Sequence, residues 1–181
     1  MRVIGGEFRS RVLKSLPGLD VRPTPDRLRE ALFNVLAPRI EGTTFADVYA
    51  GTGAVGIEAL SRGALRAVFL EQSRAAVRVI RENLRALGIE ARAEVRHGRA
   101  AAMLPKIEAD IVFLDPPYRL EREYESALDV LGERPASLVI VQHAARLKLA
   151  DSYGGLRRGR VLKQGDNALS FFDVATDFLR T

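Results

Sequence analysis

The sequence predicts an α/β fold: a doubly wound, mostly parallel sheet of seven strands with an antiparallel C-terminal hairpin and a small N-terminal β-hairpin. Three observations predict it. Short apolar segments alternate with helix-patterned segments from residue 44 to residue 143. The strand segments are apolar on both faces, which is the pattern of a parallel sheet covered by helices on both sides. The last two β segments, LRRGRVLKQ and ALSFFDV, flank Gly165-Asp166-Asn167, which reads as a hairpin turn. The right-handed crossover rule then winds the parallel strands into a doubly wound sheet.

Each element follows in order. Residues 2–16, RVIGGEFRSRVLKSL, read as two short strands around a Gly5-Gly6 turn. Residues 17–24 are loop. A helix then starts with Thr24 as its N-cap, Pro25 in the first helical position and Asp26 complementing the dipole. Leu28, Ala31, Leu32, Val35 and Leu36 share one face, and Pro38 and Gly42 end the helix. TFADVYA (44–50) is a strand and 53–63 a helix. RAVFLE (66–71) is a strand and 73–87 a helix ending at Gly88. ARAEVRH (91–97) is a strand, followed by a short helix near 99–104. DIVFLD (110–115) is a strand, followed by a helix around 121–131. SLVIVQH (137–143) is a strand, with a short helical connection after it. No linker separates two large units, so residues 1–22 read as a basic extension and 23–181 as the main domain.

The 181 residues, 47% hydrophobic and 28% charged, suit one soluble domain with a single sizeable core. No apolar run approaches the ~20 residues of a bilayer span, and the N-terminus lacks the continuous apolar stretch of a secretion signal. A cytoplasmic location with no membrane partner is the expectation. The absence of cysteine rules out disulfides and thiolate chemistry, and with only His97 and His143 a histidine-rich metal site is excluded. The formal charge is +5, and 24 of the 28 basic residues are arginine. Arginine forks onto phosphate and stacks on bases, so a nucleic-acid partner fits, although a GC-rich genome also enriches arginine. Arg2, Arg9, Arg11 and Lys14 concentrate positive charge at one end against Glu7 alone. Arg78, Arg81 and Arg85 read instead as a solvated helix face.

DVYAGTGAVG (47–56) holds Gly51-x-Gly53-x-x-Gly56 after the first parallel strand, where open α/β sheets bind ligands. The glycines permit a tight turn and close approach of ligand to backbone. Glu71 ends the second strand, where an acidic residue grips ribose hydroxyls. Two features speak against NAD. Asp47 would repel a pyrophosphate but would favour the ammonium of a methionine moiety, and no residues announce hydride transfer. An adenosine-bearing cationic ligand is the better reading.

FLDPPY (113–118) ends the fourth strand on the same rim. Its paired prolines fix the backbone and set the direction of their carbonyls. Asp115 and the Pro116 carbonyl offer acceptors for the two hydrogens of an exocyclic amine, and Tyr118 offers a flat face for a base. Such an amine is a poor nucleophile, and binding both hydrogens aims its lone pair at an electrophilic methyl group.

With these residues the sequence resembles the S-adenosylmethionine-dependent methyltransferases with a Rossmann-like fold. It resembles more narrowly the RsmD family of small-subunit (16S) ribosomal RNA guanine-N2 methyltransferases. RVIGGEFRSRVLKSL, RPTPDRLREALFNVL, DVYAGTGAVGIEALSRGA, FLDPPY and GDNALSFF carry the resemblance, which covers nearly the whole chain. It implies S-adenosyl-L-methionine as cofactor and ribosomal RNA or a subunit assembly particle as partner, with the base flipped out to reach the site. It implies Asp47, Gly51, Thr52 and Gly53 at the methionine end, Glu71 on the ribose and Gln72 beside the adenine. Asp115, Pro116 and Tyr118 would hold the guanine amine. Arg2, Arg9, Arg11 and Arg22 would contact RNA, with Arg22, Pro23 and Thr24 near the site. The sequence departs from the pattern at Arg99, where related enzymes carry Asp or Asn. Arginine has no acceptor, so backbone near Arg99 and Ala100, or Gln72, would read the adenine. A purine amine other than guanine N2, such as adenine N6, and an RNA-binding module with an inactive site are the alternatives.

Overall fold

The computed structural model describes residues 1–16, 25–117 and 120–175. Tyr118 and the Arg22-Pro23-Thr24 segment fall outside these residues. The sheet has eight strands rather than seven: β1 (Thr44–Val48), β2 (Arg66–Glu71), β3 (Ala93–His97), β4 (Ile111–Leu114), β5 (Leu138–Ala144), β6 (Ser152–Tyr153), β7 (Leu156–Gln164) and β8 (Asn167–Val174). Their order is β3-β2-β1-β4-β5-β8-β7-β6. The first five in this order are parallel, and β8, β7 and β6 add antiparallel to them. The extra strand is β6. It occupies part of the stretch where a helical connection is expected: after β5 the chain turns, and Ser152 and Tyr153 pair with Arg157 and Leu156.

Helices cover both faces: α1 (Asp26–Leu36), α2 (Ala54–Ser61), α3 (Arg74–Leu87), α4 (Ala100–Met103) and α5 (Glu121–Glu133). Alternation along the strands divides the core. Phe45, Ile111, Phe113, Leu138 and Ile140 pack against Leu28, Leu32, Phe33 and Leu36 of α1. Ala46, Val48, Val112, Val139 and Val141 point the other way, toward Tyr124, Leu128 and Leu131 of α5. Each Val, Leu, Ile or Phe among them, withdrawn from water, contributes roughly 1.5–3 kcal/mol. α3 shows how local sequence sets an element's ends. The Ser73 hydroxyl accepts from the Ala76 N–H at 3.3 Å, and Gly88 closes the helix at a left-handed φ of 71°.

Some boundaries shift from the expected ones. α1 starts at Asp26, with Pro25 and not Thr24 in the capping position. β3 starts at Ala93 because Glu90–Arg92 form a 3-10 turn. The N-terminal segment makes one antiparallel bridge, Arg2 to Val12, in place of two full strands. The strands stay short because the backbone between them bonds to α2. Ile4 and Gly5 donate to the Glu58 carboxylate at 2.8 Å each, and Glu7 donates to the Ser61 carbonyl at 2.7 Å. The Phe8 N–H reaches the Ser61 hydroxyl at 2.9 Å, and that hydroxyl donates to the Gly5 carbonyl at 2.6 Å. A Cβ on Gly6, whose φ is +76°, would lie 1.9 Å from the Ser61 carbonyl oxygen. Val3, Phe8 and Leu13 then fall into a core with Ile57, Leu60, Phe69, Ile80 and Leu84.

Candidate active site

Two strand ends at the centre of the sheet build the site. β1 and β4 are neighbours with Asp47 opposite Phe113, and the Asp115 N–H continues the ladder to the Val48 carbonyl at 3.3 Å. Asp47 and Asp115 therefore reach the same rim. Asp47 is only 2% exposed, and its carboxylate accepts from the Gly56 N–H at 2.8 Å. Burial pushes its pKa up to about 8; the Gly56 bond opposes this, while the nearby charges of Asp115 and Glu71 add to it. Three carboxylates thus feel one another where a cation is expected to bind.

The chain after Asp47 turns sharply. Gly51 and Gly53 take φ of 56° and 78°, and Gly53 caps α2 from that conformation. Gly56 serves packing: a Cβ there would come within 2.3 Å of the Phe69 ring. Tyr49 also adopts a left-handed φ, of 65°, which is costly for a bulky residue. Its hydroxyl donates to Glu123 of α5 at 2.6 Å, and its pKa is raised by burial first and then by that bond and charge. Glu71 is built into the turn. Its carboxylate accepts from the Gly51 N–H at 2.8 Å and the Ser73 N–H at 2.7 Å.

Thr52 is half-buried, and its carbonyl accepts from the Asn83 side chain of α3 at 3.2 Å. The same amide donates to the Lys14 carbonyl at 3.2 Å and accepts from the Lys14 N–H at 2.8 Å. Gln72 is exposed, and its carbonyl lies 3.0 Å from Nε2 of His97. The Gly98 N–H donates to the Glu71 carbonyl at 3.0 Å. Arg99 is exposed at the start of α4 and makes no side-chain cap there, while Ala100 is buried.

On the other side of the rim, Nε2 of Gln142 donates to Asp115 at 3.1 Å. Gln142 is buried on β5, and its Oε1 has no hydrogen-bond partner among the described residues. The Pro116 carbonyl, expected as an amine acceptor, already accepts from the buried Tyr124 hydroxyl at 3.0 Å. A carbonyl has two lone pairs, so one acceptor position remains. His143 is structural: its ring bonds Ser170 and the Ala144 carbonyl, and burial lowers its pKa.

Arg2, Arg9 and Arg11 are exposed. Arg11, however, donates to the Ala86 carbonyl at the end of α3 at 3.0 Å, so its guanidinium is already engaged. Arg22 lies outside the described residues.

Sequence reasoning passed over Tyr49, Asn83, Glu123, Tyr124 and Gln142. It also passed over Glu58 and Ser61 as anchors of the N-terminal segment. Glu58 left a signal: it is a carboxylate inside AVGIEAL, and a charge on an otherwise apolar helix needs buried partners. Here they are two backbone N–H groups, the Arg62 guanidinium at 2.8 Å and the buried Arg29 guanidinium at 3.9 Å.

Among the described residues no cluster of ligating side chains could hold a metal, and no helix is long and apolar enough to cross a membrane. The family described as Conserved hypothetical protein 95 matches residues 1–173. YlbH of Bacillus subtilis is 33% identical over 165 residues, 86% of this chain and 89% of that protein. Ribosomal RNA small subunit methyltransferase D of Haemophilus influenzae is 36% identical over 151 residues, 78% of each chain. The structure of yhhF from Escherichia coli superimposes with a TM-score of 0.84 at 35% identity, covering 96% of this chain and 97% of that one.

Proposed function

The chain belongs to the Conserved hypothetical protein 95 family, and from that premise we propose that it transfers a methyl group from S-adenosylmethionine to N2 of a guanine in small-subunit ribosomal RNA. The observation that carries the reading is the shared rim of Asp47 and Asp115 on adjacent strands. One carboxylate suits a cationic donor and the other an amine acceptor. The name of the Haemophilus influenzae relative supports ribosomal RNA as the substrate class.

The residues present fit the cofactor. The Glu71 carboxylate has about four acceptor positions, and its two backbone bonds leave two for the adjacent hydroxyls of a ribose. The left-handed turn at Gly51 and Gly53 keeps side chains away from the approaching ligand. Asp47, ionised by a neighbouring ammonium, would hold the methionine end with Thr52. Gln72 and the backbone at Arg99 and Ala100 lie after β2 and β3, where an adenine would sit beside His97. When bound, S-adenosylmethionine supplies an electrophilic methyl group.

The chain's own work is to present the acceptor. Asp115 and the free lone pair of Pro116 accept the two amine hydrogens. Withdrawing both from the ring plane turns the nitrogen lone pair outward. Gln142 steadies Asp115, and Tyr124 steadies Pro116. Tyr118 would stack on the base. The alkylated nitrogen then sheds one proton, which Asp115 or water takes up. Arg9, exposed in the N-terminal segment, is the cation best suited to RNA phosphate, and Arg2 is exposed as well.

Tritiated methyl transfer to ribosomal RNA from a strain lacking this activity, followed by nucleoside mapping, tests the proposal. Labelled N2-methylguanosine is the expected product. Labelled N6-methyladenosine would move the reading to the other purine. RNA binding without cofactor binding or transfer would mark an inactive module and overturn it.

A further inference from the structure

Two consecutive residues of α5 each hold one side of the rim. Glu123 accepts the Tyr49 hydroxyl at 2.6 Å, and Tyr49 stands between Asp47 and Gly51 on the cofactor side. Tyr124 donates to the Pro116 carbonyl at 3.0 Å on the amine side. Tyr124 is 1% exposed, locked among Leu128, Leu131 and the strand residues beneath it. Tyr49 is an aromatic residue in left-handed backbone, a conformation that persists only where surrounding contacts hold it. Its hydroxyl bond and its packing against the α5 side of the core are those contacts.

We propose that the first turn of α5 is a brace that sets the separation of methyl donor and acceptor amine, with Tyr49 and Glu123 as its positioning residues. The proposal rests on the methyltransferase reading above. A displacement of about 1 Å between reacting groups costs up to roughly 100-fold in rate. A link that ties both loops to one rigid helical turn therefore acts on turnover more than on folding. The bond needs a donor at Tyr49 and an acceptor at position 123. The hydroxyl keeps its proton, since burial and the carboxylate both raise its pKa. An amide oxygen at 123 accepts the same bond.

A double-mutant cycle on the full chain tests this, with Y49F, E123A, the pair together, and E123Q. Four readouts are compared: kcat for methyl transfer, KM for S-adenosylmethionine, cofactor affinity by calorimetry, and Tm. Y49F and E123A are each expected to lower kcat about tenfold and to raise the KM for cofactor, with little change in Tm. The double variant should be no worse than either single one, and E123Q should recover most of the lost turnover. Additive losses, failure of E123Q to recover, or a fall in Tm with kcat unchanged would overturn the brace while leaving the methyltransferase reading intact. A wild-type chain that neither binds S-adenosylmethionine nor transfers methyl would overturn both.

Discussion

Asp47 keeps its proton in the unliganded protein up to about pH 8, against a usual 3.8. Between those values the folded chain holds a proton that the unfolded chain has lost, so this residue's contribution to stability falls as pH rises. The groups facing it are the Gly56 N–H of α2, Asp115 after β4 and Glu71 at the end of β2. A bound ammonium favours the ionised carboxylate. Cofactor binding should therefore expel close to one proton at neutral pH and tighten as pH approaches 8. Calorimetry in two buffers of different ionisation heat measures that release, and D47N should abolish it. Asp115 is held on the amine side by Gln142, which donates to it. D115A should lower kcat at least 100-fold and leave cofactor affinity within a few-fold, read by single-turnover transfer beside calorimetry. Equal losses in both variants would mean that the two carboxylates do not divide donor from acceptor.

At the scale of elements, the N-terminal segment is a strap docked on α2 and α3. Its glycines serve that docking. G6A puts a Cβ into the Ser61 carbonyl at a backbone angle that L-residues avoid, so it should cost about 2–4 kcal/mol in chemical denaturation. The same docking separates the roles of its arginines. Arg9 is exposed and Arg11 is tied to α3. R9A should weaken RNA binding and reduce the salt slope by about one unit, while R11A should change that slope less. Filter binding across a salt series distinguishes them; identical slopes for both variants and the wild type would remove RNA contact from the strap.

Over the whole molecule, the parallel core was legible because its signals are local. RAVFLE is a strand at the residues expected, and Ser73 and Gly88 frame α3 as their chemistry dictates. β6 was illegible because two residues carry no periodicity; only its pairing with β7 defines it. The rim positions of Asp47, Glu71 and Asp115 followed from strand ends. The second set of contacts did not, since Tyr49, Glu123 and Gln142 are distant in sequence and meet only across the sheet and α5. The strap's integration was equally hidden. Burial of Val3, Phe8 and Leu13 contributes on the order of 5 kcal/mol. A chain beginning at residue 25 should melt at least 10 °C lower than the full chain; an unchanged Tm would make residues 1–22 a separate appendage.

Beyond Arg158, β7 pairs with β8 alone among the described residues, because β6 ends after two residues and the Arg158 N–H makes the last bond on that side, to the Asp151 carbonyl at 2.8 Å. An open strand margin invites another polypeptide to add itself there. This one carries Arg160 and Lys163, both exposed, around Val161. Two such margins laid side by side would bring like charges together, so the chain guards itself against self-templated fibre growth with cations where other proteins use proline or a covering loop. High ionic strength weakens that guard, and concentrated stocks should cloud first in brine.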